Sequence, residues 1–110
     1  MRFELDNHPG FTAIAAKGRL NMVAAPELRA TVDEAIAAGN RRIVIDLTET
    51  EFLDSSGLGA LIGCLKSARQ AGGDLRIANA GEQVLMVLKL TSIDRILSPY
   101  PSVRDAYSDA

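Results

Sequence analysis

The residues with the clearest chemical potential are Asp54-Ser55-Ser56-Gly57-Leu58-Gly59-Ala60-Leu61. They lie between a short β-branched apolar run at 43–47 and an apolar segment of helical period from Leu58 to about Arg69. Asp and Ser oxygens at such a junction accept from backbone N–H groups that have no helical partner, so one reading is a cap that starts a helix. The other is an exposed hydroxyl open to modification. A phosphoryl group on Ser55 would add about −1.5 to −2 charges. A helix N-terminus tolerates that charge, contributing about 0.3 to 1 kcal/mol where exposed. The fold would persist, while a partner docking over Ser55 would meet repulsion and a hydrated group to desolvate. Local chemistry leaves both readings open.

Catalytic readings of the same residues fail on their missing parts. Gly57-x-Gly59 after a strand has the start of a phosphate-binding glycine turn, but Ile62 stands where the third glycine belongs, and 110 residues are too few for two mononucleotide-binding halves. A serine hydrolase needs a histidine near its nucleophile; G-x-S-x-G is absent, and the single histidine, His8, sits in a turn next to Pro9 and reads as solvent-exposed. One Cys and one His do not make a metal site. Neither a catalytic group, a metal nor a cofactor is expected.

The elements that must position Ser55 follow from periodicity and turn chemistry. Residues 2–7 alternate as an edge strand with Phe3 and Leu5 inward. Asn7-His8-Pro9-Gly10 turns the chain, and residues 11–16 form a second strand ending near Lys17-Gly18. Ala24-Ala25-Pro26 opens a helix whose buried face is Leu28, Val32, Ala35 and Ile36, and Gly39-Asn40 ends it. Apolar residues on both alternating faces of 43–47 predict a central strand, with Asp46 bracing the loop ahead. Residues 48–53 read as a linker pinned to the core by Phe52 and Leu53. In the following helix Leu58, Leu61, Ile62 and Leu65 share the sheet-facing side. Ser56, Ala60, Gly63, Cys64 and Ser67 form an opposite face of small residues, fit either for a partner or for a neighbouring helix of the same chain. Cys64 reads as a packing residue rather than a reactive thiol.

Gly72-Gly73 closes that helix. A strand is expected at 74–78, a turn at Asn79-Ala80-Gly81, and a helix at 82–90 with more apolar circumference than one sheet face requires. Residues 93–97 read as a last strand, 98–101 as a turn and 102–107 as a short helix capped by Ser102. Composition fits one globular domain over 1–110: 47% hydrophobic, 24% charged, no Trp and a net charge of −2, without the basic excess that nucleic acid attracts. The alternating N-terminus lacks a signal-peptide core and no run approaches a membrane span, so no membrane partner and a cytoplasmic location are expected.

Three stretches taken together carry a family likeness: Gly18-Arg19-Leu20-Asn21 after an early hairpin, Ile43-Val44-Ile45-Asp46-Leu47, and Asp54-Ser55-Ser56-Gly57-Leu58-Gly59. Over nearly the whole chain the sequence resembles the bacterial anti-sigma factor antagonists, which are single STAS domains. The resemblance implies an α/β fold, a mixed β-sheet with about four helices packed on it. It also implies a partner-switching cycle: the unmodified protein binds an anti-sigma factor with serine kinase activity and frees a sigma factor. The kinase then phosphorylates the first motif serine, Ser55, and a metal-dependent serine phosphatase resets it, with ATP and metal belonging to those partners. The expected partner-binding residues are Asn21, Asp54, Ser55, Ser56, Gly57, Leu58 and Gly59, with Ala60, Gly63 and Ser67 from the small-residue face. Asn21 stands where the family often has Asp, which keeps the shape and removes a charge. Other STAS domains serve transport or stress-signalling scaffold complexes, where Ser55 would be a cap alone; a free-standing chain with its serine favours the sigma-factor circuit.

Overall fold

The computed structural model describes residues 1–108 as a mixed α/β structure. Its strands are β1 (Arg2–His8), β2 (Phe11–Leu20), β3 (Arg42–Asp46), β4 (Thr50–Leu53), β5 (Asp74–Ala78) and β6 (Pro99–Tyr100); its helices are α1 (Ala25–Ala37), α2 (Ser55–Gln70) and α3 (Glu82–Leu90). The sheet runs β1-β2-β3-β5-β6, antiparallel in the β1–β2 hairpin and parallel elsewhere. In place of the expected fourth helix, residues Asp105–Tyr107 form a 3-10 turn, and the Ser102 hydroxyl accepts from the Asp105 N–H at its start.

Apolar alternation along the strands divides the core between two faces. Ile14, Ala16, Ile43, Ile45, Leu75 and Ile77 meet the buried sides of all three helices in one cluster. Val44 and Ala78 point the other way, where the C-terminal segment covers them with Val103, Ala106 and Tyr107. The central strand is thus covered on both faces, by helices on one and a strap of chain on the other. At the edge, Phe3 packs against the core, but Leu5, expected inside with it, is half exposed.

Three local expectations are corrected. The supposed linker 48–53 contains β4, which pairs with the end of β2 past a register shift at Gly18/Arg19. Residues 93–97, read as a strand, hold a 3-10 turn at Ile93–Arg95, while Pro99–Tyr100, read as a turn, forms the edge strand beside β5. Asp46 accepts from the Thr48 N–H and hydroxyl and from the Asn79 amide, so it ties the turn before β4 to the end of β5. Its hold on Ser55 is indirect.

Cys64 is buried in the main core, and burial pushes its thiol up to about 11. Burial, with Asp74 nearby, also raises Tyr107, whose hydroxyl donates to the Ile43 carbonyl at 3.0 Å. Both groups stay neutral in the fold at pH values where an unfolded chain ionises, from about 8.5 for Cys and about 10 for Tyr. The folded state therefore holds more protons in that range, and stability falls as pH rises through it. Urea denaturation at stepped pH should show the midpoint dropping above pH 9. Cys64→Ser together with Tyr107→Phe should flatten that alkaline decline; an unchanged slope would refute the assignment.

Candidate functional site

The backbone of Asp54 is extended, its side chain accepts from the Gly57 N–H at 2.9 Å, and α2 starts at the next residue. Asp54 is therefore the cap, which leaves Ser55 in the first helical position. Ser55 is exposed, and among the described residues no group hydrogen-bonds to its hydroxyl. The chemistry read from Asp-Ser-Ser is thereby divided: Asp54 satisfies the orphan helix donor and Ser55 keeps a free oxygen.

The end of β2 supports this corner. The Leu20 carbonyl accepts from the Asp54 N–H at 3.3 Å, and Gly57 lies so close that a Cβ there would come within 2.1 Å of the same oxygen. Glycine at 57 is a requirement of close approach between α2 and β2. Arg19 stacks over the Phe52 ring at 4.3 Å, fixing β4 to β2 from outside, while Leu53 is buried. Next along the chain, the Asn21 side chain accepts from the N–H groups of Val23 and Ala24 and shapes the turn into α1. Leu20 thus sets the turn 21–24 beside the N-terminus of α2. A groove of ≈ 450 Å³ opens there, lined by Arg19, Asn21, Val23, Glu27 and Glu51 among others. A larger hollow, ≈ 750 Å³, lies at the other end of the sheet between Phe11, Asn40 and Arg42, away from Ser55; His8 lines it and pairs with Asp6.

The expected partner-binding residues separate by exposure. Ser55 and Gly59 are exposed, and Asn21, Asp54 and Ser56 are half-buried around them. Gly57, Leu58 and Ala60 are buried within the chain, beneath the exposed residues of this corner. The small-residue face is largely occupied. Helix α1 packs along it, Cys64 is sealed beneath, and the Arg29 side chain covers Gly63 while donating to the Gly59 carbonyl at 3.2 Å. Ser67 stays half-buried two turns below Gly59. The neighbouring-helix reading of this face is the one the packing supports for Ala60, Gly63 and Cys64.

Met22 and Val23, about 71% and 84% exposed, stand beside Asn21 and were not legible as surface. Isolated apolar exposure needs no explanation; these two side chains lie in the turn that follows Leu20, the residue on which Gly57 packs. Among the described residues there is no group of His, Cys, Asp and Glu able to hold a metal, and no helix is long and apolar enough to cross a membrane.

The family model described as a STAS domain matches residues 2–106. The chain belongs to the STAS domain family. This STAS domain is 27% identical to the anti-sigma F factor antagonist of Paenibacillus polymyxa over 110 residues, covering 99% of this chain and 94% of that protein. The crystal structure of an anti-sigma factor antagonist from Mycobacterium paratuberculosis matches it with a TM-score of 0.86 at 27% identity, over 98% of this chain and 92% of that one. The Bacillus cell fate determinant SpoIIAA in its phosphorylated form matches with a TM-score of 0.73 at 21% identity, over 98% of each chain, a likeness of fold.

Proposed function

We propose that this STAS domain is an anti-sigma factor antagonist whose unmodified form binds an anti-sigma factor with serine kinase activity and so releases a sigma factor, and that phosphorylation of Ser55 ends the binding. The observation that carries this reading is the division of labour at the start of α2. Asp54 takes the capping role, which leaves the Ser55 hydroxyl exposed and, among the described residues, without a hydrogen-bond partner. A serine needed for capping would lose a bond on modification; this one has none to lose. The names of relatives such as the P. polymyxa antagonist supply the partner class. A metal-dependent serine phosphatase completes the cycle by removing the phosphate. The protein acts by binding and needs no cofactor of its own.

The docking surface is the exposed corner formed by Asn21, Met22, Val23, Asp54, Ser55, Ser56 and Gly59. Its apolar part comes from Met22 and Val23, and its switch from Ser55. Phosphosite mapping on protein isolated from native cells is expected to find phosphate on Ser55 under one growth condition and its absence under another. Co-purification should recover the kinase with the unmodified form only. Ser55 unmodified under all conditions would favour instead a subunit of a transport or stress-signalling scaffold.

Val23→Asp tests the apolar contact. It places a carboxylate on an exposed turn, so thermal unfolding should be unchanged, while affinity for the kinase should fall about tenfold, the scale of an interface residue worth about 1.4 kcal/mol. Undiminished binding would move the docking surface elsewhere.

A further inference from the structure

Leu53, the last residue of β4, has its two backbone groups held by one side chain. Its N–H donates to Gln83 Oε1 at 2.9 Å, and its carbonyl accepts from Gln83 Nε2 at 2.9 Å, across 30 residues of sequence. A carboxamide presents a donor and an acceptor side by side as a peptide group does, so Gln83 pairs with Leu53 as one residue of a neighbouring strand would. It does so from the first turn of α3, whose Val84 and Leu88 are buried in the core. The residue that follows this pairing is the cap, Asp54, and the next is Ser55.

We propose that Gln83 is a positioning residue for the Ser55 switch: its amide fixes the end of β4, and with it the angle at which Asp54 and Ser55 enter α2. Its functional half rests on the switch reading above. The contact is well placed for this: β2 pairs with β4 along one edge, its last bond there, Asp54 N–H to the Leu20 carbonyl, is long at 3.3 Å, and Gln83 holds Leu53 from α3. Gln83→Met keeps the side-chain length and removes both bonds. Gln83→Glu keeps an acceptor for the Leu53 N–H but sets a carboxylate oxygen against the Leu53 carbonyl.

Two measurements on the full chain test the proposal. Amide hydrogen exchange should quicken about tenfold at Asp54 and Gly57 in both variants, the effect of leaving a partly buried polar pair unmatched, with the amides of β3 and β5 unchanged. Equal exchange everywhere, or an increase spread through β3 and β5, overturns the clamp. In the second, an extract of native cells with radiolabelled ATP phosphorylates each chain over a range of substrate concentrations. The maximal rate on Ser55 should fall about tenfold in both variants with little change in KM, because a displaced hydroxyl is bound but poorly aligned. Labelling of wild type and variants at equal rates overturns the positioning role while the switch stands. No label on wild-type Ser55 overturns the switch reading and the functional half of this proposal together, and the exchange pattern still decides the clamp.

Discussion

Ser55→Asp is expected to weaken binding of the proposed partner, an anti-sigma factor kinase, by about 100-fold, or about 2.7 kcal/mol, while leaving the fold intact. The two halves of this result have separate causes. Within the chain, Ser55 is exposed in the first turn of α2 and Asp54 retains the cap through the Gly57 N–H. A new carboxylate there meets the positive end of the helix and contributes about 0.3 to 1 kcal/mol in favour of folding, partly offset by its neighbour Asp54. At the docking surface the same charge must be desolvated, and like charges brought together cost several kcal/mol. Ser55→Ala should bind as the unmodified protein does and accept no phosphate. Calorimetric titration of the purified kinase with the three chains, paired with thermal unfolding of each, checks both halves. Equal affinities for Ser55→Ala and Ser55→Asp would end the charge-switch mechanism; a large loss of thermal stability in Ser55→Asp would show that the serine is structural.

Gly57→Ala should destabilise the protein by about 3 kcal/mol, at the upper end of what overpacking a well-fitted interior costs. The added methyl would sit 2.1 Å from the Leu20 carbonyl oxygen, 2.8 Å from Leu53 Cδ1 and 2.9 Å from Leu20 Cγ. The first of these is backbone, so relief requires α2 to move away from β2 rather than a side chain to swing aside. That movement would also strain the Asp54 N–H bond to Leu20, so binding should weaken along with stability. Gly59→Ala is the control. A methyl there meets open space and replaces a poor helix former, so stability should rise by about 0.5 to 1 kcal/mol. Chemical denaturation of the two variants provides the comparison, and a Gly57→Ala chain as stable as wild type would remove the close-approach argument.

Much of the fold was legible because its periods are bounded by unambiguous punctuation. The strand expected at 74–78 and the helix expected at 82–90 coincide with β5 and α3, since Gly72-Gly73 and Asn79-Ala80-Gly81 stop any continuation. The final residues were misread because an edge strand is defined by the neighbour it pairs with. Pro99–Tyr100 has little strand character, yet it lies in register with Ile77 and Ala78, and an edge position accepts a proline. β4 was missed for the same reason: four residues in a linker become a strand only because the end of β2 is free to pair with them.

At the site, residue type alone marked the start of α2 and its possible chemistry, since Asp, Ser and Gly before an apolar periodic run have few other uses. The assignment of parts required the tertiary structure. Only there does Asp54 take the cap and leave Ser55 free, Gly57 become a packing requirement against Leu20, and α1 cover the small-residue face. Gln83 has no local sequence signal, because its partner lies 30 residues away and becomes a neighbour only when α3 docks beside β4. Local hydrogen-bonding and periodicity thus determined that a helix starts at Asp54-Ser55-Ser56. Contacts between residues distant in sequence, which no local pattern encodes, decided which of its neighbours hold it and which face outward.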